Sequence, residues 1–330
     1  MFNIGQPVIP PTPEGTSLKG KTCIVTGANT GIGFETARQL LTLNAARVII
    51  TARDVSKGEA AVAALRQDPE VKSKNPSAIT EVFHLDLDDY QSVLKFCNQV
   101  KREVPELDIL ICNGGTNIMD YRKSKAGHER VVQVNCYGHF LLTLTLLPLL
   151  HSTATKRGTP SRVSIVGSPT QTHHTLEKRP LKPTENVIAH FDDRAIYQGL
   201  ARYSDSKLII NAFVQRLASI IPDSEVVINN FGRGLVKTNL EKDPPLWLKI
   251  IMFIFRALYD RTVDAAGRTA IYASVVTGKE THGQFLANNA VAPDVPFLAK
   301  SEGLDFTERL WKDFLDDVIP LDEGLKVFKK

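Results

Sequence analysis

Cysteine is scarce and scattered: Cys23, Cys97, Cys112 and Cys136 are the only four in 330 residues, with no CxxC pair. That spacing excludes a dense disulfide framework and a thiolate zinc site, and it fits reduced thiols in a cytoplasmic-type compartment. Excess charge of one sign is also lacking, with 40 Lys and Arg against 36 Asp and Glu and a net charge of +4. No basic block stands out, so no nucleic-acid partner is expected. No uninterrupted apolar run is long enough to suggest a transmembrane span. The first residues, MFNIGQPVIPPTPEGTSLKG, lack a basic start followed by an apolar stretch. They read as an extended arm over residues 1–17, not as a signal peptide. No His or Cys spacing implies a metal.

What is present is alternation. The short β-branched runs TCIVT (22–26), RVIIT (47–51), ITEVFHLD (79–86), LDILIC (107–112), SRVSIVGS (161–168) and EVVINNF (225–231) are separated by longer helix-like segments. This pattern predicts an α/β fold, a doubly wound parallel sheet of about seven strands flanked by helices on both faces. Residues 18–330 read as one domain. Residues 169–198, rich in His, Pro and charge, read as an insertion within it, and 241–262 as a substrate lid.

The first strand runs into TGANTGIG (26–33), with glycines at Gly27, Gly31 and Gly33 between a strand and a helix. Gly27 permits a tight turn, while Gly31 and Gly33 let a pyrophosphate approach the helix N-terminus, where free N–H groups and the helix dipole favour an anion. The context is that of a Rossmann dinucleotide site, and Asn29 and Ile32 of the same turn join the expected cofactor-binding set. The second strand ends in IITARD. Ala52 offers no carboxylate for a ribose 2′-hydroxyl, whereas the fork of Arg53 suits a 2′-phosphate, so NADP(H) is the expected cofactor.

In RYSDSKLII (202–210), Tyr203 and Lys207 stand four residues apart, on one helix face. A free phenol has a pKa of about 10, and a neighbouring ammonium favours the phenolate, which suits acid–base catalysis. Ser168 ends the fifth strand at the sheet's carboxyl edge, placed to hydrogen-bond a substrate oxygen.

With TGANTGIG, HLDL (84–87), ICNGG (111–115), VNCYGHF (134–140), VGS (166–168), YSDSK (203–207) and GLVKTNL (234–240) in this order, the chain resembles the short-chain dehydrogenase/reductase family. Its style is similar to the retinol-dehydrogenase-like and WW-domain-oxidoreductase-like branch, which reductases of fungal natural-product pathways share. The resemblance implies catalytic roles for Asn135, Ser168, Tyr203 and Lys207. Asn135 would hold a water that links Lys207 to solvent, and Lys207 would also bond the nicotinamide ribose. It places Asp86 and Leu87 at the adenine, Asn113 and Gly114 along its ribose, Ile32 at the diphosphate side, and Val236 and Thr238 at the nicotinamide carboxamide. Asp86 could instead cap the helix that follows it. Two departures stand out: Arg233 where relatives usually have Pro, and Cys112 and Gly114 within ICNGG. The implied reaction interconverts a carbonyl and an alcohol, with dehydration or isomerisation on the same fold, or a non-catalytic NADP-binding role, as alternatives.

The apolar segment PPLWLKIIMFIFRALYD (244–260) implies a hydrophobic small-molecule substrate such as a polyketide, terpenoid, retinoid or lipid-like carbonyl. It reads first as a lid packed on its own domain, with peripheral contact at a membrane surface as the alternative. FLLTLTLLPLL (140–150) reads as a buried helix end, and in many relatives that helix and the YxxxK helix pair in a homodimer. His173 and His174 read as a solvated loop pair.

Overall fold

The computed structural model of the protein describes residues 6–236 and 261–329, together with the backbone of the short strand Glu241–Lys242. The expected sheet is present. Strands β1 (Thr22–Val25), β2 (Arg47–Ala52), β3 (Ile79–His84), β4 (Ile109–Cys112), β5 (Ser161–Gly167), β6 (Val226–Gly232) and β7 (Phe285–Ala287) pair in parallel in the order β7-β6-β5-β4-β1-β2-β3. The two-residue β8 (Ala290–Val291) adds an antiparallel edge beyond β7. β7 and β8 are too short to show as patterned runs. A separate parallel pair joins Asn117–Ile118 to Glu241–Lys242.

Every residue of β1 and β4 is buried, because helices cover both faces. Helices α1 (Gly31–Thr42), α2 (Val55–Gln67) and α6 (Val263–Ile271) lie over one apolar cluster. Helices α3 (Tyr90–Glu103), α4 (Gly138–Arg157), α5 (Gly199–Ala218) and α7 (Ser301–Val318) enclose the larger one. Winding reverses direction between β1 and β4. That switch point opens a crevice at the strands' carboxyl ends, where α/β sheets bind ligands.

The continuous helix Arg130–Arg157, which includes α4, is long and apolar enough to cross a membrane by length and composition. Yet 89% of its most apolar window is buried inside the fold, so it is a core helix. The side of α4 and α5 that carries Phe140 and Phe213 is covered by the chain itself. Those two rings stack at 3.7 Å, Phe314 of α7 stands edge-on to both, and Trp311 lies 5.8 Å from Phe213. A homodimer across these two rings would have to displace α7.

Residues 169–198 are fastened to the rest of the fold by several hydrogen bonds. Thr175 donates through N and Oγ1 to Asp205 on α5, Val187 N donates to Asp313 on α7 at 2.7 Å, and the Tyr197 hydroxyl donates to the Ile118 carbonyl at 2.9 Å. At their centre is Arg202, buried between the rings of Phe191 and Tyr197 and near the carboxylates of Glu129 and Asp205. The N-terminal arm also lies against the fold. Ile9 is buried, and the Gln6 side chain both donates to the Leu235 carbonyl and accepts from its N–H, each at 2.9 Å.

Candidate active site

The glycine turn has the geometry of an anion cradle. Gly27 has φ +60°, and a Cβ there would stand 2.8 Å from the Gly114 Cα. At Gly33 a Cβ would collide with the Asn113 amide and come within 2.7 Å of the Gly27 carbonyl oxygen. Side chains at either position would close the space. Thr30, the N-cap of α1, makes no side-chain capping bond, and the first turn carries no acid. The helix's leading N–H groups are therefore free to meet an anion.

A cleft of about 380 Å³ opens over this turn, lined by Gly27, Asn29, Gly31, Ile32 and Gly33 and, on the far wall, by Arg53, Asp86, Leu87, Asn113 and Gly114. Ten of the sixteen expected site residues line this cleft; Asn135, Ser168, Tyr203 and Lys207 are not in its lining, Val236 packs against Ile32, and Thr238 lies outside the described residues. Arg53 is exposed at the rim and has no ion pair among the described residues. Its neighbour Asp54 is engaged elsewhere, capping α2 through the Lys57 N–H and accepting from the Ser56 hydroxyl. Burial pushes the Asp86 carboxyl up, but the Lys125 ammonium at 2.8 Å, the Asp88 N–H and the Arg53 charge together hold it below the ordinary carboxylate range. Asp86 is not a helix cap; that role falls to Asp89, which accepts from the Gln91 N–H.

The expected catalytic residues stand on α5, at the end of β5 and in the turn before α4. Lys207 is buried on α5 and donates through Nζ to the Val166 carbonyl at 2.7 Å, two residues before Ser168. Its ammonium lies 5.1 Å from the centre of the Tyr203 ring. Burial pushes the Lys207 pKa down; Tyr203 opposes that shift, and the Arg233 cation adds to it. Ser168 Oγ accepts from the N–H and the hydroxyl of Thr170. A hydroxyl that accepts two bonds still has its own hydrogen to offer.

Asn135 sits in a π-helical turn, Gln133–Tyr137, ahead of α4. Its side chain brackets Thr116, accepting from the N–H at 2.8 Å and donating to the carbonyl at 3.0 Å, and donates again to Ser206 Oγ. Ser206 in turn donates to the Tyr203 carbonyl. Asn135 thus ties the loop after β4 to the helix that carries Tyr203 and Lys207.

Two groups escaped sequence reasoning. Arg130 lines the cleft and pairs with Asp88 at 2.9 Å. His139 is fully enclosed, and burial lowers its pKa to about 4, so the ring is neutral near pH 7. Thr26 Oγ1 accepts from the N–H groups of Asn113 and Gly114, which fills its lone pairs, so its own hydrogen points to His139 Nε2 at 3.0 Å. Nδ1 therefore carries the ring proton and faces the Asn135 carbonyl at 3.3 Å. This chain joins the phosphate loop to the Asn135 turn, and GHF was its only visible trace. The reading of His173 and His174 as a solvated pair holds for His173 alone. His174 is buried, its ring 4.6 Å from that of Phe297.

All four cysteines are free and buried. Burial pushes the Cys112 thiol up to about 12, and the other three higher, so none is a ready nucleophile. Among the described residues no group of three or more His, Cys, Asp or Glu is placed to hold a metal ion.

Fold, cradle and catalytic helix together describe a nicotinamide-dependent oxidoreductase of the short-chain type. The comparisons agree: a family model described as short chain dehydrogenase matches residues 21–169. The chain is 52% identical over 291 residues to short chain dehydrogenase sor7 of Hypocrea jecorina (strain QM6a), covering 88% of this chain and 81% of that protein. Among solved structures it resembles a Pseudomonas aeruginosa RhlG/NADP active-site complex, with a TM-score of 0.60, 22% identity and coverage of 82% and 95%. It also resembles NADH-dependent reductase A1-R′, responsible for alginate metabolism, with a TM-score of 0.61, 18% identity and coverage of 84% and 99%. The chain belongs to the short-chain dehydrogenase/reductase family.

Proposed function

We propose that the protein is an NADP(H)-dependent enzyme that interconverts a carbonyl and an alcohol on a hydrophobic small molecule, within a fungal biosynthetic pathway. The observation that carries this reading is the pairing of Tyr203 and Lys207 on one helix, together with a glycine-lined cleft that displays Arg53 without an acid partner among the described residues. The glycine cradle, the uncapped helix and Arg53 suit a dinucleotide with a 2′-phosphate.

When bound, the nicotinamide supplies the hydride in reduction and takes it up in oxidation. In the reducing direction Tyr203 gives its phenolic proton to the substrate oxygen as the alcohol forms. Ser168 donates its hydroxyl hydrogen to the same oxygen and aligns it. Lys207 stabilises the resulting phenolate, and Asn135 holds the Tyr203 helix in register. The substrate class rests on the apolar composition of 244–260, which lies outside the described residues.

The test follows the absorbance of the reduced cofactor against a panel of apolar aldehydes and ketones, with product mass recorded. A product two hydrogens heavier supports the reading, and conversion without cofactor oxidation overturns it. The Arg53→Ala variant is expected to bind NADPH about 10- to 100-fold more weakly while NADH affinity hardly moves. Equal losses for both cofactors would remove Arg53 from the 2′-phosphate site.

A further inference from the structure

Arg233 stands where the family usually has proline, immediately after β6. From sequence a solvent-facing side chain is the simpler expectation, with contact to the substrate or a cofactor phosphate as the alternative. The structure instead puts Arg233 in the wall of the cleft, with Gly31, Ile32, Gly33 and Asn113. Its guanidinium reaches past the end of β5 to the end of β4, where Nη1 is 3.4 Å from Asn113 Oδ1. Among the described residues that long contact to a neutral oxygen is its only side-chain hydrogen bond, and it has no carboxylate partner there. Among the described residues of the cleft wall the one carboxylate, Asp86, is already held by Lys125. The cleft wall therefore holds, beside the leading residues of α1, a guanidinium that no described carboxylate neutralises.

The missing proline is compensated from elsewhere. Arg261 donates to the Arg233 carbonyl at 3.2 Å, and its other amine donates to Asn288 Oδ1 and to the Pro7 carbonyl. Gln6 brackets Leu235 from the far side, and Gly234 takes φ +75° between them. The turn is set by these contacts to its backbone, and the Arg233 side chain is left to face the cleft.

We propose that Arg233 grips the diphosphate of the cofactor, serving NADH and NADPH alike and acting apart from Arg53 at the 2′-phosphate. The inference rests on the dinucleotide reading above. A planar fork offers two parallel donors to phosphate oxygens, which a proline at this position cannot do.

Equilibrium binding of NADPH, NADH and ADP-ribose to the wild-type chain, Arg233→Met and Arg233→Lys separates the possibilities. The methionine variant is expected to lose about ten-fold or more for all three ligands, and lysine to recover part of the loss. Adenosine 2′-monophosphate, which lacks the diphosphate, should bind the variants and the wild type alike. Thermal melting checks that Arg233→Met remains folded. Unchanged affinities for all three ligands in Arg233→Met overturn the assignment, as does a loss confined to NADPH or to the substrate's KM. A wild-type chain that binds none of the three overturns the dinucleotide reading itself, and this inference with it.

Discussion

The cofactor cradle and the layer formed by residues 169–198 with α7 hold together by different physics. In the cradle the work is done by backbone and by small or neutral groups. Gly27 approaches Gly114, Thr26 and Asn113 share hydrogen bonds, and His139 is kept neutral by burial. Most of these partners are close in sequence or at the ends of adjacent strands. In the second region charged and aromatic side chains from distant segments converge. Arg202 lies between Phe191 and Tyr197, and His128 bridges Asp192 and Asp317 at 2.9 and 3.1 Å. The contrast teaches that the cradle rests on close backbone approach and neutral hydrogen bonds between strand ends, while the layer of 169–198 and α7 rests on long-range ion pairs, each vulnerable to losing one partner.

The sharpest break should come at the junction of the two regions. Tyr203→Phe removes one hydroxyl and is expected to lower kcat by up to about 10⁴-fold, with cofactor binding intact by titration. Retained turnover would show that the proton comes from elsewhere.

Next in size is the second region's own centre. Arg202→Met leaves Glu129 and Asp205 buried without their cation, and should cost about 3 kcal/mol by denaturant unfolding. A change below about 1 kcal/mol would mean that the cluster is not coupled to stability.

The smallest effect concerns His128. Burial lowers its pKa, but the Asp192 and Asp317 carboxylates reverse that and raise it to about 9. A folded pKa above the unfolded value of about 6.5 stabilises the fold fully below that pH, and the contribution is lost as pH rises through about 9. His128→Gln should therefore destabilise by about 2 kcal/mol at pH 6, with the gap to wild type closing towards pH 9.5. A gap that widens with pH would reverse the assigned charge.

Much of the cradle was legible because its signals are short-range. TGANTGIG shows a strand, a turn that needs glycine and a helix start, and YSDSK shows two groups on one face. Other features left little trace. Arg202 adjoins Tyr203 in the chain, but nothing local says that its guanidinium is buried between two rings. Arg233 looked like a surface residue because the contacts that aim it come from Gln6 and Arg261, far away in the chain. β7 and β8, with three and two residues, are strands only because β6 is there to pair with β7.

By itself the sequence determined the α/β alternation, the anion-binding turn and the tyrosine–lysine spacing, since each follows from backbone geometry over a few residues. Tertiary structure alone decided that α7 covers the α4–α5 face, that His139 joins the phosphate loop to the Asn135 turn, and that Arg233 faces the cleft. These depend on which side chains meet after the chain has folded back on itself, and residue spacing does not encode such meetings.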